Sequence, residues 1–346
     1  MPTVTTLAST PLVGPTSQVN AALANLTSSP MSSRLLLTTD IPRTLWDADT
    51  QCLTIPRSLA DAYQSVLSER NLLEAANDNV IDDGPVGGIT EADTHKHFAH
   101  RFASSAARTQ LALLDPDDVL CNVSNQFVRA FAGGHVGLLD LPCGAGAASL
   151  DLLATIAALR QSGAIPRQPL YVHLLAADIS KPARDIFLQL AERIRADLAS
   201  QGIILYIKPE SWDALDSEST TQVLDSWLKW ATSCSEHFVL LANFSGFLQR
   251  DGKFRDAQPQ LHEVMRWVAQ QNSTLVWIEP QTNTATQHFL PRLLGWLNGK
   301  LPRRFREGWH PGEADLSAEA RYQHPIKSDC RPTVRLVLIR LEAAHQ

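Results

Sequence analysis

One stretch, residues 136–149, constrains the fold more than any other part of the 346-residue chain. Its first six residues are apolar except for Asp140 and are typical of a buried strand. A turn of small residues follows, and a helix is predicted from about residue 147. In an α/β sheet, such a unit places backbone N–H groups and a helix N-terminus beside a ligand at the end of the strand. Gly144 and Gly146 carry no Cβ, so a ligand can lie directly on the main chain.

The turn itself reads Asp-Leu-Pro-Cys-Gly-Ala-Gly from Asp140 to Gly146, with the acid before the glycines. The Gly-x-Gly-x-x-Gly spacing of dinucleotide-binding folds is absent, because Ser149 stands where the third glycine would be. The segment resembles motif I of the class I S-adenosylmethionine (SAM)-dependent methyltransferases. It departs from that motif at Pro142, where the family most often has its first glycine. A strand–turn–helix unit that binds no ligand is the alternative for this segment taken alone.

Further apolar segments typical of buried strands also end at polar residues, namely Asp178, Asp213, Asn243 and Glu279. Ligands of open α/β sheets bind outside the carboxyl ends of the strands. We therefore expect these residues and Asp140 to lie along one rim of a sheet.

The resemblance implies a fold as well as an activity. It predicts a doubly wound, mostly parallel seven-stranded sheet with helices on both faces and an antiparallel last strand, within residues 90–346. Residues 1–33 are rich in Thr, Ser, Pro and Ala and predict a flexible tail. Residues 34–89 contain an amphipathic helix followed by a turn-rich break, and predict an N-terminal helical extension that serves as a lid or as a homodimer surface.

The resemblance also implies that the cofactor is SAM. In the family, the acid that ends the second strand bonds the ribose hydroxyls, and an Asp after the third strand commonly meets the adenine amino group. These positions are Asp178 and Asp213 here. The full set of expected cofactor-binding residues is Asp140, Pro142, Cys143, Gly144, Ala145, Gly146, Asp178, Ile179, Trp212, Asp213, Asn243, Phe244 and Arg101.

A helix is predicted from Thr90 to about Leu114, opened by a capping-type start. It resembles the family helix that precedes motif I and lies over the cofactor. Arg101 or Arg108 would then reach the SAM carboxylate, and Phe98 would contact the substrate. An amphipathic helix with solvated arginines is the alternative. The histidines of this helix do not share one helical face well, so no metal is expected.

The acceptor is less well defined than the cofactor. The predicted fourth strand leads into Asn-Phe-Ser-Gly, not the Asn/Asp-Pro-Pro-Tyr/Phe that holds an amino group in nucleic-acid and glutamine methyltransferases. This favours a small-molecule acceptor. If the acceptor is a hydroxyl, a base is useful, and residue type alone suggests Glu279, His310 or His262.

A basic segment with aromatic residues, around Arg303, Arg304 and Trp309, is the other expected substrate-binding element. It could hold a phosphate-bearing or nucleic-acid substrate, although a solvated basic loop is the commoner explanation. An RNA or protein methyltransferase using this segment therefore stays open. So does a catalytically inactive methyltransferase-like partner subunit.

The composition restricts the class of protein. The net charge of −6 argues against a chain that binds polyanions over its whole surface. The five cysteines form no Cys-x-x-Cys pair and fit free thiols in a reducing compartment. With no apolar run of membrane-span length and no signal-peptide pattern, we expect a cytoplasmic protein that does not contact membranes.

Overall fold

The computed structural model describes residues 34–78, 88–268, 273–281, 316–328 and 330–342, together with residues 292, 293, 295 and 296. In this part of the chain nine strands form one sheet. Its parallel centre consists of β3 (Gly134–Asp140), β4 (Leu170–Ala177), β5 (Ile203–Glu210), β6 (Glu236–Ala242) and β7 (Ser273–Pro280). Two later strands, β8 (Leu316–Gln323) and β9 (Thr333–Glu342), continue the sheet beyond β7.

The seven strands from β3 to β9 are arranged in the order β5-β4-β3-β6-β7-β9-β8. β3 pairs with β4 on one side and with β6 on the other, so the direction of winding reverses at β3. β9 runs antiparallel to both β7 and β8. This confirms the predicted fold class, a doubly wound and mostly parallel sheet with an antiparallel last strand. The reversal point is where ligands of such sheets bind.

Two short strands extend the sheet beyond the seven that were predicted. β1 (Trp46–Asp47) pairs antiparallel with β2 (Cys52–Thr54), and β2 pairs parallel with β8. Both come from the segment that was expected to be helical. With two and three residues, they are too short to show an alternating pattern in the sequence.

Helices cover both faces of the sheet in two layers. The buried side chains of the first layer pack into one apolar core and come from α1 (Arg57–Glu69), α2 (Leu73–Asn77), α3 (Glu91–Leu114), α4 (Cys121–Ala130), α5 (Ala147–Ser162) and α6 (Lys181–Ser200). The second layer holds α7 (Ser217–Trp230), α8 (Ser245–Gln249) and α9 (Lys253–Val268). Single 3-10 turns lie at Thr38–Asp40 and Arg250–Gly252.

Alternation along the strands divides the apolar core between these layers. On β3, Val136 and Leu138 pack in the first layer, and Leu139 packs in the second. Successive side chains of a strand point to opposite faces, so a parallel strand covered on both sides reads as one apolar run.

The ends of α3 follow from its sequence. Thr90 caps the helix by accepting a hydrogen bond of 3.2 Å from the Asp93 N–H, as predicted. The helix ends at Leu114, where Asp115 adopts a left-handed conformation before a proline.

No helix among the described residues combines the length and the apolar character needed to cross a membrane.

Candidate functional site

The turn between β3 and α5 leaves open space above its backbone. Gly144 has φ +50° and Gly146 has φ +83°, a region that side chains rarely adopt. A Cβ built on Gly144 would meet no atom within 4 Å, whereas one on Gly146 would lie 2.3 Å from the Phe187 ring of α6. Gly146 is therefore required for packing, and Gly144 exposes main chain to a vacant region of the rim.

The carboxylate of Asp178, directly after β4, is tied to this turn. One of its oxygens accepts a hydrogen bond of 3.0 Å from the Gly144 N–H, and the other accepts one of 2.7 Å from the Ser180 N–H. Burial raises the pKa of Asp178, while these two N–H donors and Arg184 counteract the increase. The neighbouring Ile179 is 38% exposed, which leaves an apolar side chain on the surface beside the acid.

Asp140, the last residue of β3, is buried and poorly satisfied. It is 1% exposed, and neither carboxylate oxygen forms a hydrogen bond of ordinary length and angle in the described structure, although the hydroxyl and backbone N–H of Ser149 at the start of α5 lie close to it. Its pKa is raised to about 7, mainly by burial and also by the charge of the nearby Asp178, while the Ser149 hydroxyl and N–H counteract part of the increase. A buried carboxylate without a partner is costly, so a ligand that supplies an ammonium or N–H group at this point would stabilise it.

The other residues of the turn are held by the sheet. The peptide bond between Leu141 and Pro142 is cis. Cys143 is buried and donates its backbone N–H to the Ala177 carbonyl at 2.9 Å. Ala145 is half-buried and packs against the first-layer core. Together these contacts connect the turn to the end of β4.

At the exit of β6, Asn243 adopts a left-handed conformation with φ +57°. Its side-chain oxygen accepts a hydrogen bond of 3.0 Å from Arg108 of α3. Burial lowers the pKa of Arg108 to about 10, and its Nε has no partner among the described residues. A non-glycine residue in this conformation is uncommon and often lies at a functional site.

Glu279, which residue type alone suggested as a base, is buried and bonded by N–H groups of the protein itself. One carboxylate oxygen accepts from the backbone N–H groups of Phe244 and Ser245, each at 2.9 Å, and from the Trp277 indole at 2.6 Å. Because it shares a strand face with Trp277, it points to the second helical layer, away from α3. Its contacts anchor the start of α8.

Trp212 and Phe244 lie in the core of the second layer instead of on the open rim. They are 2% and 4% exposed, and their ring centroids are 5.8 Å apart. The Trp212 indole donates to the Thr220 hydroxyl at 3.1 Å. Asp213 forms a local turn by accepting from the Leu215 N–H at 2.9 Å.

The predicted residues of α3 divide between core and surface. Phe98 is 3% exposed and packs against Tyr63 and Phe102, with ring centroids 5.1 and 5.2 Å away. The structure therefore places Phe98 in the core, not at a substrate cleft. Arg101 is exposed.

The remaining sequence candidates are His262 and four residues of the basic segment. Arg303, Arg304, Trp309 and His310 lie outside the described residues, and His262 lies within α9. Where the structure is described, no three His, Cys, Asp or Glu side chains are grouped as metal ligands.

Sequence reasoning missed Tyr322 and Arg250. Tyr322 of β8 interacts electrostatically with Arg101 and Arg108, and Arg250, after α8, interacts with His97. No local pattern identifies these residues, because only the packing of α3 brings these elements together.

Comparisons with known proteins add little to this geometry. Neither the protein-family models nor the curated proteins give a match. Among solved structures, the chain is similar to the rRNA methyltransferase aviRa from Streptomyces viridochromogenes, with 13% identity and a TM-score of 0.29. The similarity covers 51% of this chain and 75% of that one. A likeness this distant carries no argument, so the fold rests on the strand order.

Proposed function

We propose that this protein is a SAM-dependent methyltransferase that binds its cofactor across the exits of β3 and β4. The observation that carries the proposal is the combination of a buried Asp140, whose carboxylate has no ordinary hydrogen bond, with open space above Gly144. The sequence resemblance of this segment to motif I supports the same conclusion.

The residues present fit the chemical groups of SAM. The Asp140 carboxylate can accept hydrogen bonds from the ammonium of the methionine part, which would compensate its burial. Asp178 already accepts two N–H bonds, but each carboxylate oxygen has capacity for a further donor, such as a ribose hydroxyl. Ile179 offers an exposed apolar surface for the adenine.

When bound, SAM supplies a methyl group on a positively charged sulfur, which a nucleophile can take directly. The protein's contribution is then mainly to hold the two reactants in line. The rigid link between Asp178 and Gly144 fixes the cofactor side, and the residues of α3 and β6 border the acceptor side. We propose a small-molecule acceptor, because the exit of β6 reads Asn-Phe-Ser-Gly and not the Asn/Asp-Pro-Pro-Tyr/Phe of amino-methylating nucleic-acid enzymes.

Isothermal titration calorimetry of the full chain with SAM and with S-adenosylhomocysteine (SAH) tests the cofactor assignment. We expect both to bind with a stoichiometry of about one per chain. Absence of binding by both would contradict the proposal and favour a methyltransferase-like fold without a cofactor.

A further inference from the structure

One face of α3 carries three basic or titratable side chains toward the rim. His97, Arg101 and Arg108 are separated by four and seven positions, which places them on a single helical stripe. The apolar face of the same helix, with Phe98 and Phe102, packs into the core against α1. The basic stripe is therefore directed away from the hydrophobic core.

The segment after α8 brings another arginine to the same place. Arg250 bonds the chain three residues after Asn243, the partner of Arg108. Its charge reaches His97, whose pKa is lowered to about 4 mainly by burial and also by Arg101, Arg250 and His100. The Arg250 Nε donates to the Gly246 carbonyl at 3.3 Å, but one of its terminal nitrogens is buried without a hydrogen-bond partner. Arg108, which is partly buried, likewise has a buried Nε without a hydrogen-bond partner.

This group, which we call the arginine cluster (Arg101, Arg108 and Arg250), has more positive charge than the acids around it balance. In the described structure none of the three guanidinium groups forms a salt bridge. Glu279 is the acid whose charge acts on Arg108, but it forms no ion pair with it: one of its oxygens accepts three N–H donors, and the other is buried without a hydrogen-bond partner. Buried charged donors are normally paired, so the unpartnered nitrogens of Arg108 and Arg250 lack an anionic group in direct contact.

The cluster lies on the acceptor side of the rim. Arg108 bonds Asn243 at the exit of β6 and acts on Tyr322 at the end of β8. β7 and β9 separate those two strands, and at about 4.8 Å per strand this region extends roughly 14 Å along the rim. Asp178 lies in the other direction, beyond β3.

We infer that the arginine cluster binds an oxyanion, a phosphate or a carboxylate, carried by the methyl acceptor. Guanidinium groups hold both kinds of oxyanion through two parallel N–H bonds, which orients the acceptor as well as attracting it. This inference rests on the proposed function, because it assigns the acceptor of the same site.

The test is calorimetric titration of the full chain with sodium phosphate and, separately, with sodium acetate, each with and without saturating SAH. We expect at least one of the two anions to bind saturably and to keep its affinity when SAH is present. Tighter phosphate binding identifies a phosphate-bearing acceptor, and tighter acetate binding a carboxylate-bearing one. Binding of neither anion would overturn the inference. Loss of anion binding on addition of SAH would overturn it too, because the cluster would then hold the cofactor's carboxylate.

Three variants make the test specific. Arg108→Lys keeps the charge but loses the two-pronged geometry, and Arg101→Ala changes an exposed position, so the fold tolerates it. Each should weaken anion binding at least about tenfold, whereas Arg255→Ala, on a side chain that is 85% exposed in α9, should have no effect. Equal affinity in all three would contradict the inference. If SAH fails to bind while anion binding still depends on Arg101, the proposed function fails and the anion site remains.

Discussion

The carboxylate of Asp178 accepts a hydrogen bond of 3.0 Å from the backbone N–H of Gly144, so the end of β4 fixes the turn that follows β3. A second hydrogen bond, from Ser180, fixes the same carboxylate at the start of α6. Because these elements come from neighbouring parallel strands, the rim is connected at the point where the fold reverses its winding.

Replacing Asp178 should therefore affect both ligand binding and stability. In Asp178→Ala, the Gly144 and Ser180 N–H groups lose their acceptor, which should lower the free energy of unfolding by about 2 kcal/mol. We also expect SAM affinity, measured by calorimetry, to fall at least about tenfold.

Asp216→Ala is the matched control for this change. Asp216 also accepts from two backbone N–H groups, those of Glu218 and Ser219 at the start of α7. Its loss should cost about 1 kcal/mol of stability and leave SAM affinity unchanged. If Asp178→Ala binds SAM as tightly as Asp216→Ala, the ribose assignment is wrong.

A side chain at Gly144 should block the open space above the turn. Gly144→Val places its bulk where nothing lies within 4 Å, so SAM affinity should fall at least about tenfold. Gly163→Val, at the other end of α5, also occupies a positive-φ position with open surroundings. Both variants should lose about 1–2 kcal/mol of stability from backbone strain, seen by urea unfolding. Equal SAM affinity in the two would show that no ligand lies on Gly144.

The pH dependence of stability should reveal the buried Asp140. Its pKa rises from 3.8 to about 7 on folding, so between those values the folded chain holds a proton that the unfolded chain has lost. Stability contributed by this group is therefore lost as the pH rises through that window. Asp140→Asn removes the penalty, and its melting temperature should exceed that of the wild type by several degrees at pH 8 and differ little at pH 4.

Ionisation of Asp140 should have the opposite effect on SAM binding, which should be stronger at high pH. An ammonium group pairs with the ionised carboxylate, so the wild-type dissociation constant should rise as the pH falls below about 7. In Asp140→Asn the affinity should be lower and this pH dependence absent. A wild-type affinity that is constant from pH 5 to pH 8 would contradict the pairing.

The centre of the fold could be predicted because each buried parallel strand is a continuous run of apolar residues in the sequence. The strands that end at Asp140, Ala177 and Ala242 fall close to the expected bounds. β1 and β2 could not be predicted, because they are short and their pairing depends on β8, which lies more than 260 residues later.

The candidate site likewise contains residues that could be predicted from the sequence and residues that could not. Asp140, Gly144 and Asp178 follow from strand ends, since parallel strands bring their carboxyl ends together. Once a strand has ended, side-chain direction is no longer set by alternation, which is why Trp212 packs in the core although a rim position was expected. The Arg108 contact with Asn243 spans 135 residues and depends on how α3 crosses the sheet.

A buried arginine far from the rim should stabilise the fold without affecting ligands. Arg160 of α5 donates to four carbonyl groups, those of Phe131, Ala132, Gln168 and Gln201, at 2.6 to 3.2 Å. Arg160→Ala leaves all four unpaired and should cost about 3–5 kcal/mol in the free energy of unfolding, measured with urea.

The matched variant is Arg195→Ala, because Arg195 donates to a single backbone carbonyl, that of Leu205, at 2.7 Å, and is partly exposed. It should cost only about 1 kcal/mol. Under conditions where each variant is folded, SAM affinity should equal that of the wild type, since neither arginine is close to the Asp140 turn. A similar loss of stability in both variants would mean that the four carbonyl bonds of Arg160 do not act together, because water then replaces the missing donors at little cost.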